Sequence, residues 1–187
     1  MKIKICGLTK QCDIDFVNEA LPDYAGFVFA ESKRKVTEDR AAALKRWINP
    51  SIKVVGVFLD NDISYVRNIL KERIIDIAQL HGHESDEYIS SIDAPVIKAV
   101  RLGERIDYPV DYLLFDSPRA GSGKTFDWRL IPKTEKPFFL AGGIYIGNII
   151  EAMRINPFAI DVSSGVETDG VKDREKIIEI VRRVRNC

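Results

Sequence analysis

The sequence is poor in the residues that bind metals or form disulfides. It contains three cysteines, Cys6, Cys12 and Cys187, and two histidines, His81 and His83, among 187 residues. An odd number of cysteines without a C-x-x-C pair argues against a disulfide framework and against a structural zinc site. The two histidines lie two positions apart, and no third ligand accompanies them. We therefore expect no bound metal.

Long hydrophobic runs are also lacking. No apolar stretch approaches the ~20 residues that a membrane-spanning helix requires. The opening segment, MKIKICGLTK, has no long apolar region of the kind found in signal peptides. With 45% hydrophobic and 30% charged residues, the composition is that of an ordinary globular protein. We expect a single catalytic domain over residues 1–187 that is cytoplasmic and has no membrane partner.

The chain has no excess of charge of either sign, since 28 lysines and arginines balance 28 aspartates and glutamates. Balanced charge produces no general field that would attract nucleic acid. A basic cluster at Arg182, Arg183 and Arg185 closes a predicted helix, where cations interact favourably with the helix dipole. We therefore expect no nucleic-acid partner.

Eight short segments have the residue types of β-strands. Most are rich in valine, isoleucine, phenylalanine or tyrosine, which strands favour. The predicted strands span residues 2–6, 24–29, 53–59, 76–80, 95–100, 111–115, 137–141 and 158–162.

Amphipathic helical patterns separate these strands. Between residues 63 and 72, the apolar residues Ile63, Val66, Ile69 and Leu70 fall on one helical face. The last segment has the same spacing, and Asp173 is placed to cap it. Further helices are expected near residues 13–20, 38–47, 85–91 and 146–154. Residues 102–110 are too short, and interrupted by proline, for a full helix.

This alternation of strands and helices predicts an α/β fold with parallel strands and right-handed crossovers. Eight strands in this order favour a closed (β/α)8 barrel, the TIM barrel, with a reduced fifth helix. An open, doubly wound sheet would also accommodate eight strands. The barrel would be compact, because such barrels usually contain about 250 residues.

Polar and glycine-rich segments follow the predicted strands at their carboxyl ends. In a (β/α)8 barrel these loops meet at one face, where active sites form. Gly142 and Gly143 follow the seventh strand, and Ser163, Ser164 and Gly165 follow the eighth. Glycines let a phosphate approach the backbone, whose N–H groups can bind the anion. We expect these neighbouring loops to bind a phosphorylated small molecule, with plain turns as the alternative.

Cys6 and Asp127 follow the first and sixth predicted strands. The Cys6 thiolate could act as a base if a cation lowers its pKa from about 8.5, and core filling is the alternative. Asp127 could act as an acid if its surroundings raise its pKa above about 3.9, and a helix N-cap is the alternative. Arg34 could pair with a substrate carboxylate. We expect His81 to line the pocket and His83 to be exposed, and Arg101 follows the fifth predicted strand.

The loop before Asp127 contains Gly121-Ser122-Gly123-Lys124, which resembles part of a P-loop. The glycine required five residues before Gly123 is absent, because Pro118 occupies that position. This departure argues against nucleoside triphosphate binding. Gly121 and Gly123 instead predict the hinges of a mobile lid.

Taken together, these residues resemble the phosphoribosylanthranilate isomerase family. The opening KICGLT at residues 4–9 is similar to the KICGIT start of that family. The resemblance runs in family order through nearly the whole chain. Its other segments are GFVF at 26–29 with Ser32 and Arg34, VGVF at 55–58, QLHG at 79–82, FDW at 126–128, LAGG at 140–143, DVSSGVE at 161–167, and Gly170, Lys172 and Asp173.

The resemblance implies an isomerase of tryptophan biosynthesis that needs no metal or organic cofactor. The implied reaction is the Amadori rearrangement of N-(5'-phosphoribosyl)anthranilate to 1-(2-carboxyphenylamino)-1-deoxyribulose 5-phosphate. At matching positions, Cys6 resembles the general base, Asp127 the general acid and Arg34 the ligand of the anthranilate carboxylate. Residues 142–143 and 163–165 resemble the phosphate site. Family members occur as monomers and dimers, so a homodimer is possible.

The chain departs from the family pattern at two places. The usual Ser-Pro-Arg reads SKR at 32–34, which predicts a looser turn before Arg34, and the usual GGTG reads AGSG at 120–123.

Two other functions remain as alternatives. A related barrel, such as indole-glycerol-phosphate synthase or a histidine-pathway sugar isomerase, would use a catalytic lysine or a pair of aspartates at strand ends. A non-catalytic phosphate-binding module would use Cys6 only as core.

Overall fold

A computed structural model of the chain describes residues 1–117 and 125–186. Eight parallel strands form a closed barrel in sequence order, and the last strand pairs with the first from Lys2↔Ala159 to Ile5↔Val162. This closure excludes the open sheet and confirms the TIM barrel. The strands are β1 Lys2–Cys6, β2 Tyr24–Val28, β3 Lys53–Phe58, β4 Ile77–Leu80, β5 Val96–Val100, β6 Tyr112–Phe115, β7 Phe138–Leu140 and β8 Ala159–Val162.

Helices alternate with most of the strands. They are α1 Gln11–Ala20, α2 Glu38–Lys45, α3 Ile63–Lys71, α4 Asp86–Ser90, α5 Ile149–Arg154 and α6 Arg174–Arg185. Residues 101–111 join β5 to β6 without a helix, which confirms the reduced fifth helix. None of the helices described here is long and apolar enough to cross a membrane.

Two small elements complete the described fold. A 3-10 helix, Trp128–Leu130, precedes β7, and a hairpin of β9 Glu167–Thr168 and β10 Val171–Lys172 follows β8. The sequence analysis did not predict the hairpin, because two-residue strands carry too few residues for a periodic pattern.

The helix that ends the fold illustrates how local sequence sets an element. Asp173 caps α6 by accepting a hydrogen bond from the backbone N–H of Lys176 at 3.1 Å, as predicted. Its apolar residues recur at helical spacing and pack into the core. The buried members of this face are Ile177, Ile180, Val181 and Val184.

The inside of the barrel is divided into an apolar end and a polar end. Because successive strand residues face opposite sides, alternate residues of each strand point inward. Near the amino ends of the strands, Tyr24, Ile77 and Phe139 form part of an apolar layer, in which the Tyr24 and Phe139 rings lie 5.3 Å apart. This layer closes one end of the barrel and leaves the carboxyl ends for polar residues.

Candidate active site

A cavity of about 360 Å³ opens at the carboxyl ends of the barrel strands. It collects most of the residues predicted for the site, although the loops that carry them are far apart in sequence. The predicted residues that line it are Cys6, Arg34, His81, Gly142, Gly143, Ser163 and Ser164.

Cys6 ends β1 and contributes its side chain to the wall of this cavity. It packs against β2 so closely that a Cβ on Gly26 would lie 2.8 Å from the Cys6 sulfur. The pKa of the Cys6 thiol is raised, because burial and the Asp161 carboxylate outweigh the Lys4 and Lys172 ammonium groups, which lower it. The thiol therefore depends on the nearby cations to ionise.

A buried lysine lies directly below Cys6 in the barrel. The Lys4 ammonium donates hydrogen bonds to the Gln79 amide oxygen at 2.6 Å and to the Asp161 carboxylate at 2.8 Å. Lys4 is fully buried. Burial lowers the pKa of Lys4, but the charges of Asp161 and Cys6 outweigh that effect and raise it, so the side chain stays cationic.

The loops that follow β7 and β8 meet at one side of the cavity. Gly142 and Gly143 both have positive φ, at 86° and 64°, a conformation that glycine adopts without strain. Gly165 does not line the cavity, but its backbone forms a bridge with Tyr145. A Cβ on Gly165 would collide with the carbonyl oxygen of Ile144. Glycine at this position lets the two loops touch, which leaves their backbone N–H groups near the same space.

Ser163 connects the eighth-strand loop to Cys6. Its hydroxyl donates a hydrogen bond to the Cys6 carbonyl oxygen at 3.1 Å, and its own carbonyl accepts one from Lys172 at 2.9 Å. Ser164 follows and also lines the cavity. Both serines line the same cavity as Gly142 and Gly143.

Arg34 is held by a buried carboxylate. Its Nε and Nη2 donate to Glu167 at 2.7 and 2.8 Å, and Lys172 donates to the same carboxylate at 2.8 Å. Burial raises the pKa of Glu167, but the hydrogen bonds from Arg34 and Lys172 outweigh it and lower that pKa to about 2. The Arg34 stem crosses Gly7, where a Cβ would lie 2.5 Å from Arg34 Cδ. A side chain at position 7 would collide with Arg34, which explains the glycine after Cys6.

The turn before Arg34 is closed without the proline typical of the family. The Ser32 hydroxyl accepts a hydrogen bond from the Arg34 backbone N–H at 3.1 Å, and the Ser32 carbonyl accepts one from Lys35 at 3.1 Å. The serine therefore orders the turn in which Lys33 occupies the usual proline position.

His81 lines the cavity between two polar partners. Its Nε2 lies 3.3 Å from the Asp116 carboxylate, and its Nδ1 lies 3.2 Å from the Gln79 amide nitrogen. His83 is exposed, as predicted, and its Nδ1 lies 3.3 Å from the Asp60 carboxylate. Within residues 1–117 and 125–186, no cluster of three or more histidine, cysteine, aspartate or glutamate side chains is arranged to hold a metal ion.

Asp127 lies apart from Cys6. It lines a second, open depression of about 950 Å³, which shares Gly143 with the cavity. Its carboxylate caps the 3-10 helix and accepts hydrogen bonds from the Arg129 guanidinium at 2.9 and 2.8 Å. These bonds lower the pKa of Asp127. The predicted hinges Gly121 and Gly123 lie outside the described residues.

Several charged or polar residues that shape the site were given no role from the sequence. The partly buried or buried residues concerned are Lys4, Gln79, Asp161, Glu167 and Lys172. One signal was available: in KIKIC the period of two places Lys4 on the same face as Cys6. The pairing of Glu167 with Arg34 spans 133 positions, and no local pattern indicates it.

Comparison with known proteins confirms the family that the motifs predicted. Residues 3–183 match the family model described as N-(5'phosphoribosyl)anthranilate (PRA) isomerase. The chain belongs to the phosphoribosylanthranilate isomerase family. It is 46% identical to the N-(5'-phosphoribosyl)anthranilate isomerase of Endomicrobium trichonymphae, in an alignment that covers 99% of this chain and 98% of that protein.

Solved structures of this family have the same fold. The phosphoribosyl anthranilate isomerase of Thermus thermophilus superposes with a TM-score of 0.91 at 33% identity and covers 100% of this chain and 99% of its own. Another family structure, solved with reduced 1-(o-carboxyphenylamino)-1-deoxyribulose 5-phosphate, superposes with a TM-score of 0.85 at 29% identity, and all of both chains is covered.

Proposed function

We propose that the chain catalyses the Amadori rearrangement of N-(5'-phosphoribosyl)anthranilate in tryptophan biosynthesis, with Cys6 as general base and Asp127 as general acid. Family membership over residues 3–183 supports the isomerase reaction. The observation that supports the site assignment is the cavity shared by Cys6, Arg34 and the two loops suited to phosphate. This arrangement offers one partner to each part of the substrate.

The phosphate is expected against the loops at 142–143 and 163–165. Backbone N–H groups in such loops bind anions, and the loops after the seventh and eighth strands form the common phosphate site of this fold. Ser163 and Ser164 add hydroxyl donors at the cavity wall.

The anthranilate carboxylate is expected on Arg34. A guanidinium has five N–H donors, and Glu167 takes one at Nε and one at Nη2. The remaining three lie on Nη1 and Nη2, whose shared edge can bind a carboxylate with two parallel hydrogen bonds. Glu167 thus fixes one edge of Arg34 and leaves the other available to the substrate.

The proton transfers follow from these positions. Asp127 donates a proton to the furanose ring oxygen, the ring C–O bond breaks, and the nitrogen lone pair forms a Schiff base with C1. The Cys6 thiolate then removes the proton from C2, and the electron pair of that C–H bond forms the enolamine. Tautomerisation of the enolamine gives the C2 ketone of the product. Each positioned proton transfer typically contributes about 10²–10⁴-fold to the rate.

Asp127 must change its partner for this role. Its bonds to Arg129 lower its pKa, which favours the carboxylate over the acid form. Gly143 lines both the depression beside Asp127 and the cavity, so the two spaces adjoin. We propose that substrate binding draws Asp127 from Arg129 to the sugar.

The proposal also covers location and assembly. Because a lipid bilayer retains a sugar phosphate that carries several charges inside the cell, we place the reaction in the cytoplasm. The family includes monomers and dimers, and a homodimer of this chain stays a prediction.

Assays of Cys6→Ser and Asp127→Asn with N-(5'-phosphoribosyl)anthranilate test the residue roles. We expect kcat to fall by about 10²–10⁴-fold in each variant, while binding of the reduced product analogue changes little. Cys12→Ser controls for loss of a thiol. Asp62→Asn makes the same substitution at the N-cap of α3 and controls for loss of a capping charge. Near-normal turnover in either active-site variant would remove that residue from the mechanism.

A further inference from the structure

Lys4 is a charged residue that the proposed reaction leaves without a role. It lies two positions before Cys6 on β1, so both side chains point into the barrel. Its side chain is fully buried below the cavity floor. Burying an ammonium group costs several kcal/mol unless partners compensate, so a purely apolar residue would fill this space at lower cost.

The contacts of Lys4 leave one of its protons for the thiol. An ammonium group has three N–H donors, and Gln79 and Asp161 accept two of them at 2.6 and 2.8 Å. The third is left for Cys6 on the same face of β1, and the charges of the two groups act on each other. Gly26 allows this approach, since its missing Cβ would lie 2.8 Å from Cys6 Sγ and 3.2 Å from Lys4 Cε.

We propose that Lys4 is a positioning residue whose ammonium group, oriented by Gln79 and Asp161, stabilises the Cys6 thiolate that acts as the base. This inference rests on the proposed function, because a stabilised thiolate serves the reaction only if Cys6 removes the substrate proton. Lys4 touches the thiol rather than the reacting atoms of the sugar.

Other charged groups also face Cys6 and change the pKa of its thiol. Lys172, on the hairpin, lowers the pKa of the thiol, whereas Asp161, on β8, raises it. Arg34 also interacts with Cys6. Glu167 binds both Arg34 and Lys172 and so reduces their effect. Among these charged groups, Lys4 lowers the pKa of Cys6 most.

The pH dependence of Cys6 alkylation tests this proposal without the substrate. Iodoacetamide reacts with thiolates, and mass spectrometry of the peptides reports Cys6 and Cys12 separately. In Lys4→Met we expect the midpoint for Cys6 to move up by about one pH unit or more, which slows its alkylation near neutral pH by about tenfold. The midpoint for Cys12 should stay unchanged and serves as the internal control.

Two further variants separate the effect of the Lys4 charge on Cys6 from a general effect on folding. Lys98→Met removes another buried lysine, paired with Glu84 at 2.8 Å and placed on β5 away from Cys6. It should lower stability without moving the Cys6 midpoint. If Lys4→Met alone fails to fold, Lys4→Met/Asp161→Leu replaces the whole ion pair with apolar side chains, a change that proteins often tolerate. The midpoint should still rise, because loss of the lysine outweighs loss of the carboxylate.

The proposal is overturned if the Cys6 midpoint in a folded Lys4 variant equals that of the wild type. It is also overturned if Cys6 in the wild type reacts no faster than an ordinary buried thiol at any pH, since no stabilised thiolate would exist. The proposed function fails by a different result, namely full turnover in Cys6→Ser. The two failures are therefore distinguishable.

Discussion

The substitution Glu167→Gln removes the negative charge that holds Arg34 and Lys172 together. The Glu167 carboxylate accepts three hydrogen bonds of 2.7 to 2.8 Å from these two cations. Its side chain is 6% exposed and that of Lys172 is 2% exposed, so water replaces little of the lost interaction. The variant would leave two cations facing a neutral amide in a largely buried place.

The pKa of Glu167 sets the size of the expected loss of stability. A pKa lowered from 4.5 to about 2 corresponds to about 3 kcal/mol of native-state stability, at about 1.4 kcal/mol for each tenfold change. Water in the cavity beside Arg34 screens part of this interaction, so we expect a loss of about 2 kcal/mol in Glu167→Gln at neutral pH. For a chain of this size that loss lowers Tm by about 4–8 °C.

The pH dependence has a defined sign. Because the folded-state pKa lies below the unfolded value of 4.5, the stabilisation is complete above that pH and is lost as pH falls towards about 2. Urea unfolding measures the free energy of unfolding of the wild type and of Glu167→Gln. The difference between the two values, the stability gap, should be constant near neutrality and disappear in acid. The variant should also have a raised KM, because Arg34 is no longer fixed. A gap that persists at low pH, or an unchanged KM, would refute this reasoning.

Two glycine substitutions test the packing of the site. Gly165→Ala should weaken binding of inorganic phosphate by about tenfold or more, because the new methyl group pushes the Ile144 carbonyl and its loop away. Calorimetric titration measures the affinity for phosphate. Unchanged binding would contradict the phosphate site. Gly7→Ala should raise KM and lower stability, because it adds φ strain and displaces Arg34. Gly103→Ala has the same φ strain with no atom within 4 Å of the new Cβ, and should lower stability alone.

The regular parts of the fold were accessible from sequence because they depend on local patterns. Each barrel strand was predicted to within one residue at either end, since buried parallel strands read as short apolar runs between turns. The reduced fifth helix was predicted because residues 102–110 cannot form several helical turns. Barrel closure itself depends on the pairing of β1 with β8, which are more than 150 residues apart.

The pairings within the site were less accessible. Arg34 was predicted to pair with a substrate carboxylate, and its ion pair with Glu167 along one edge of the guanidinium was not predicted. Lys4 was recorded as part of a motif, and its contact with Asp161 spans 157 positions. Such contacts depend on which strand ends meet across the barrel, so they follow from topology rather than from spacing in sequence.

Asp127 shows a further limit of sequence reasoning. Its position after the sixth strand predicts that it faces the same cavity as Cys6. The structure pairs it with Arg129, two residues away, in the neighbouring depression. The sequence offered both roles, a helix N-cap and an acid, and the N-cap is the role that the structure without substrate shows.

The central claim is that Cys6 and Asp127 act on one sugar in the cavity. A crystal structure of the chain with bound reduced 1-(o-carboxyphenylamino)-1-deoxyribulose 5-phosphate tests this most directly. We expect Cys6 Sγ within about 3.5 Å of the sugar C2, and the Asp127 carboxyl group within about 3.2 Å of the hydroxyl derived from the ring oxygen. A bound analogue that contacts neither group, with Asp127 still paired to Arg129, would contradict the account.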